Sequence, residues 1–126
     1  MKTDKFKAAY NESRNGANGF YNHALNKLFM YSDGVQECAE AGCYWFLDIL
    51  ATELPAAFKE HQGEYLCVVT LHVKDGKAVI RGMFSDDDQA PYKRIVDYTD
   101  MPDGDWNFYV QHEPGNGLVM ILPTEY

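Results

Sequence analysis

Long hydrophobic runs are missing from this chain of 126 residues. Its apolar stretches, such as Cys43-Tyr44-Trp45-Phe46-Leu47 and Leu118-Val119-Met120-Ile121-Leu122, reach only five residues, against the ~20 that a membrane span requires. No transmembrane helix is expected. No secretory leader is expected either, because the charged start from Met1 to Lys7 runs into Ala8-Ala9-Tyr10-Asn11-Glu12 and not into an apolar core with a cleavage site. The expected compartment is therefore the cytoplasm. Cysteine is scarce and odd in number, and in a reducing compartment Cys38, Cys43 and Cys67 read as small buried hydrophobes, not disulfide partners.

Cations are the next shortage, with 11 Lys and Arg against 19 Asp and Glu and a formal net charge of -8. The asymmetry is sharper than the total. Lys2, Lys5, Lys7 and Arg14 outnumber Asp4 and Glu12 in the first 19 residues, so everything after Gly19 is strongly acidic. Phosphate contacts need Lys and Arg gathered on one face, and these are too few and scattered for a general nucleic-acid binder. Chemistry-bearing motifs are equally sparse. Gly16, Gly19, Gly34 and Gly42 follow no strand and precede no Gly-Lys-Ser/Thr, which excludes a phosphate-cradling loop. His23, His61, His72 and His112 lie in no nucleophile motif, and neither Cys38 with Cys43 nor His61-x-x-Glu64-x-x-Cys67 has the paired short spacings of a zinc site. No catalytic residue, metal or cofactor is expected.

What remains is ample for folding: 46% hydrophobic and 24% charged residues in one domain-sized chain. The Asn-Gly-rich segment 1–19 reads as a flexible polar lead-in, and 20–126 as a single domain. Phe20, Tyr21, Ala24, Leu25, Leu28 and Phe29 recur at helical spacing and predict a helix from Phe20 to Met30. Asp33, with Gln36 three residues on, predicts a capping box that launches a second helix. Gly42 marks a close approach or a break inside it. Pro55 brackets its end. The period then changes. Tyr65, Cys67, Val69, Leu71 and Val73 alternate with Leu66, Val68, Thr70 and His72, and Asp75-Gly76 signals a tight hairpin turn. Further strands are predicted from Ala78 to Phe84, Tyr92 to Tyr98, Trp106 to His112 and Gly117 to Leu122. The fold class is α+β, with N-terminal helices packed on one face of a four- or five-stranded antiparallel sheet.

Two surfaces stand out. Asp48 lies within Tyr44-Trp45-Phe46-Leu47-Asp48-Ile49, where a buried carboxylate needs a partner. It either accepts from a tyrosine, a backbone N–H or His23 and locks elements together, or it anchors a ligand in a cleft with His23 and Tyr44. Between residues 86 and 113 there are eight acids and two basic residues. Tyr92, Tyr98 and Trp106 there could anchor a partner, rimmed by Asp86, Asp87, Asp88, Asp100, Asp103 and Asp105. An open edge at Leu118 to Leu122 would offer a third surface, for self-association.

Taken together, Tyr31-Ser32-Asp33-Gly34-Val35, Ala41-Gly42-Cys43-Tyr44-Trp45, Tyr98-Thr99-Asp100-Met101-Pro102 and Leu122-Pro123-Thr124-Glu125-Tyr126 resemble a family of small proteins of unknown function from bacterial plasmids and phages. The resemblance runs from about Tyr21 onward and implies a mobile-element accessory protein in the host cytoplasm. With the acidic charge and the lack of catalytic motifs, the expectation is a non-enzymatic protein-binding module. Its partner would be a host protein with a basic surface, a defence or nucleic-acid-handling protein that it inhibits. The alternative is a small-molecule binder or enzyme using the cleft around Asp48.

Overall fold

A computed structural model describes residues 19–24, 26–60, 65–84, 92–113 and 117–125. The chain is α+β. Strands β1 (Phe20–Asn22) and β2 (Phe29–Ser32) come first. A helical run follows, made of α1 (Asp33–Cys38), a π-helical stretch (Ala39–Cys43) and α2 (Tyr44–Glu60). Then come β3 (Leu66–Lys74), β4 (Lys77–Phe84), β5 (Tyr92–Val96), β6 (Gly104–Glu113), β7 (Gly117–Ile121) and a short 3-10 turn (Pro123–Glu125). All seven strands form one sheet in the order β1-β2-β7-β6-β3-β4-β5.

This sheet is larger than expected and mixed in direction, not antiparallel throughout. The reason is the segment 20–30, where the predicted helix is replaced by β1 and β2. Phe20, Tyr21 and Leu28, three members of the apparent helical stripe, are exposed, while Phe29 and Tyr31 point into the core. The partner of β2 is β7, in parallel, with Phe29 opposite Leu118 and Tyr31 opposite Met120. Nothing local to residues 20–30 announces a partner so distant in the chain. The same pairing removes the proposed open edge, because β7 is flanked by β2 and β6, and the sheet edges are β1 and β5.

The helical run starts one residue before the expected cap. Ser32, not Asp33, is the N-cap, its Oγ accepting from the Val35 N–H at 3.2 Å, while Asp33 Oδ1 accepts from its neighbour Gly34. The break expected at Gly42 is present, with φ 132° inside the π-helical stretch, a conformation open to glycine but strained for any residue with a Cβ. Pro55 does not end the helix, which continues to Glu60. A mid-helix proline costs about 3 kcal/mol. Leu54 and Phe58 on either side of it are buried and contribute roughly 1.5–3 kcal/mol each, enough to offset it.

One face of the sheet and one stripe of α2 make the core. Phe46, Leu47, Leu50, Ala51, Leu54 and Phe58 of α2 meet Cys67, Val69, Leu71 and Val73 of β3 and their neighbours. Phe46 tilts onto Phe108 of β6 at 5.1 Å, and Phe58 stands edge-on to Phe84 of β4 at 4.9 Å, so α2 crosses the middle of the sheet. The Asp75-Gly76 turn is tight as expected, both residues having positive φ (53° and 78°). No helix among the described residues is long and apolar enough to cross a membrane.

Candidate functional site

Two groups of side chains gather from distant parts of the chain. The first lies where β1 and β2 meet the helical run. His23 is buried, 6% exposed, and its ring is fixed at both nitrogens. Nδ1 accepts from the Asn26 backbone N–H at 3.3 Å, so the ring proton sits on Nε2, which donates to Asp48 Oδ1 at 2.8 Å. Asn26 reinforces the junction by donating from Nδ2 to the Ala51 carbonyl at 3.0 Å. Asp48 is thus the lock between helix and strands that its setting suggested, but it stands 61% exposed instead of buried.

Tyr44 does not complete that pair. One turn up the helix, its hydroxyl accepts from Gln36 Nε2 at 2.8 Å, and the same amide reaches Glu40 at 2.8 Å. Tyr21 stacks on Tyr31 at 5.9 Å. Burial pushes the Tyr31 hydroxyl's pKa up, and the nearby Tyr44, Tyr21, Asp48 and Glu40 add to that. The corner is therefore tyrosine-rich and acidic. Gln36 Oε1 is buried there without a hydrogen-bond partner.

The second group forms at the β3–β4 turn, where the β5–β6 connection folds over it. The Thr99 N–H donates to the Gly76 carbonyl at 2.8 Å, Asp75 N–H to Asp103 Oδ1 at 3.0 Å, and Met101 N–H to Thr99 Oγ1 at 3.2 Å. These bonds hold Tyr98 out in water, 80% exposed. Asp75, Asp97, Asp100, Asp103 and Asp105 are exposed at the same end, against Lys74 and Lys77 at the root of the turn.

Not every expected anchor reaches this surface. Tyr92 and Trp106 are core residues, 8% and 7% exposed, because the strand period turns them toward the helix. Burial raises the Tyr92 hydroxyl's pKa, and Glu53, which accepts its hydrogen bond at 2.9 Å, raises it further. Glu53 also accepts from Arg94 at 2.6 Å. Asp105, exposed at that end, is also engaged by His72 on the neighbouring strand. Asp86, Asp87 and Asp88 lie outside the described residues, as do His61 and Glu64. Among the described residues no three His, Cys, Asp or Glu side chains converge to hold a metal ion.

Two of the segments that carried the resemblance, 31–35 and 122–126, are brought together by the fold. Ser32 caps α1 and donates from Oγ to Glu125 Oε1 at 2.5 Å, and the same carboxylate accepts from the Leu122 N–H at 2.8 Å. The model of a family of unknown function, DUF6876, matches residues 7–126. The chain belongs to this family. No curated protein and no solved structure matches it. Sequence reasoning missed the Ser32–Glu125 bond, the Glu53–Arg94 pair and the His72–Asp105 pair. For the last, a signal was present: the Asp75-Gly76 hairpin puts His72 on the outward-facing set of β3, where a cross-strand acid could meet it.

Proposed function

We propose that this chain is a non-enzymatic, acidic protein-binding accessory protein of a phage or plasmid. Its partner is a host protein with a basic surface, of the defence or nucleic-acid-handling kind, which it inhibits. The observation that carries the reading is Tyr98: a large aromatic 80% exposed on a connection pinned by backbone hydrogen bonds and rimmed by carboxylates. An amphipathic ring held ready in water binds with little loss of conformational entropy, and the surrounding charge selects and steers a basic partner. The mobile-element setting and the host cytoplasm rest on the motif resemblance, and the absence of catalytic motifs supports a binding role.

Affinity capture from a bacterial host lysate at low and moderate salt tests this, with the full chain compared to Tyr98→Ala and to Asp97→Asn/Asp100→Asn. One basic protein retained by the full chain, weakened by salt and lost with either variant while circular dichroism is unchanged, is the expected result. Equal recovery by all three chains removes this surface from the argument.

The corner around Asp48 favours a second reading, a small-molecule site using His23, Tyr44 and Asp48. Its specific support is the buried, unpaired Gln36 Oε1 among tyrosines and acids, which suits a ligand bearing an amine or hydroxyl donor. A co-purifying small molecule, displaced in Gln36→Leu but retained in Tyr98→Ala, would favour this reading over the first.

A further inference from the structure

The face of the sheet turned away from the helical run has a shallow depression of about 240 Å³, lined by Thr70, His72, Val79, Arg81 and Asp105. Strand register builds it. His72 of β3 stands opposite Asp105 of β6 and Val79 of β4, Thr70 opposite Arg81, and Arg81 opposite Lys93 of β5. Directly opposed residues share a face, so the Arg81 guanidinium and the Lys93 ammonium are neighbours and the His72 imidazole stands diagonally across from Arg81, on a chain whose net charge is -8. Asp105 takes His72 Nδ1, which fixes the ring and leaves Nε2 as its remaining polar atom. Among the described residues, neither Arg81 nor Lys93 has a carboxylate partner, although 19 acids are available in the sequence.

We infer that this depression is a binding site for the phosphoryl group of a phosphate monoester. The guanidinium fork of Arg81 matches two phosphate oxygens, His72 Nε2 offers a further polar contact, and Lys93, outside the lining on β5, adds positive potential from beside Arg81. Asp105 is the one opposing charge, and it is engaged by His72. Size sets the ligand class, because pockets for drug-sized ligands start at about 300 Å³ and this one is smaller. It takes one phosphoryl group with little attached, not a nucleotide.

Binding, and not reaction, is the role the geometry allows. The His72 and Asp105 side chains are 48% and 68% exposed, so water is not excluded. The Thr70 hydroxyl already donates to Asn107 Oδ1 at 3.0 Å, which commits the proton a nucleophile would need to hand over. None of the cations involved belongs to the acidic surface around Tyr98, and the inference stands apart from that reading.

The test is an amide and imidazole NMR titration of the full, isotope-labelled chain at constant ionic strength. The probes are inorganic phosphate, phenyl phosphate and a phosphoserine peptide, with acetate as the singly charged control. Saturable shifts confined to Thr70, His72, Arg81 and their strand neighbours are expected from the phosphates and not from acetate. Arg81→Met should weaken binding about tenfold with the spectrum otherwise preserved, since the side chain is exposed, and Arg81→Lys should recover part of the loss. Tighter binding of the peptide than of phenyl phosphate would assign the site to a phosphorylated side chain of a partner, and equal binding to a free monoester; both support the phosphoryl site. Shifts that never saturate, that acetate reproduces, or that Arg81→Met leaves unchanged would overturn it and leave His72–Asp105 as a cross-strand pair only.

Discussion

At the residue scale, His23 depends on Asp48 more than Asp48 depends on His23. The imidazole is buried and the carboxylate is in water, so removing the carboxylate strands a buried donor, whereas the exposed acid can be rehydrated. Asp48→Ala should therefore lower stability in urea by about 1–2 kcal/mol, and Asp48→Asn, which keeps an acceptor, by clearly less. The three cysteines give a second expectation. Cys38, Cys43 and Cys67 are buried and free, and burial pushes all three thiols up, Cys38 and Cys67 to about 12. Thiolates are the reactive species, so a thiol reagent at mildly alkaline pH should leave all three untouched until denaturant is added; rapid labelling of the native chain would contradict their placement. The sequence allowed this much to be read because cysteine burial and a carboxylate in an apolar run are one-residue arguments. It did not reveal that Ser32 and not Asp33 would cap the helix, since either residue satisfies the local rule and the choice depends on Glu125, 93 positions away.

At the element scale, change is poorly tolerated at Gly117. Its φ is +84°, and a Cβ there would meet the Leu28 carbonyl oxygen at 2.0 Å. That same oxygen accepts the Leu118 N–H at 2.7 Å, the bond that opens the parallel β2–β7 pair. Gly117→Ala should cost about 2–3 kcal/mol, and hydrogen exchange should accelerate first at β2 and β1 amides while β3 and β4 stay protected. The β3–β4 hairpin was legible residue by residue, because its register follows from one two-residue turn and strict alternation. Strands β1 and β2 were not, because short strands with helix-like spacing, one exposed and one buried, are distinguished only by their partner. In between, the helical run showed its break at Gly42 but not its passage through Pro55, which only the packing of Leu54 and Phe58 explains. For the candidate site the division is similar. The Asp48–His23 contact was among the expected alternatives, while Tyr92 and Trp106 were misassigned to the surface because the core-facing set of β5 and β6 depends on sheet order.

For the whole molecule, buried acids that stay protonated set an alkaline limit. Between about pH 9 and about pH 12 the unfolded chain releases the Cys38 and Cys67 protons while the folded chain retains them. The unfolded state then binds fewer protons, so stability falls as pH rises. The contribution is fully present below the ordinary thiol value and is lost through this window. The urea midpoint should drop between about pH 9 and about pH 11, and Cys67→Ala should flatten that slope in proportion to the thiol removed. A final consequence comes from the parallel pairing of β2 with β7. During synthesis β2 emerges early, yet the strand it pairs with in the sheet interior is made last among the seven. Until then the Phe29 and Tyr31 side chains have no finished sheet to enter. A ribosome that stalls or terminates before β7 would release a chain whose β2 lacks its parallel partner and exposes Phe29 and Tyr31, a natural substrate for chaperones and proteases. The topology therefore couples the fate of the beginning of the chain to the arrival of β7.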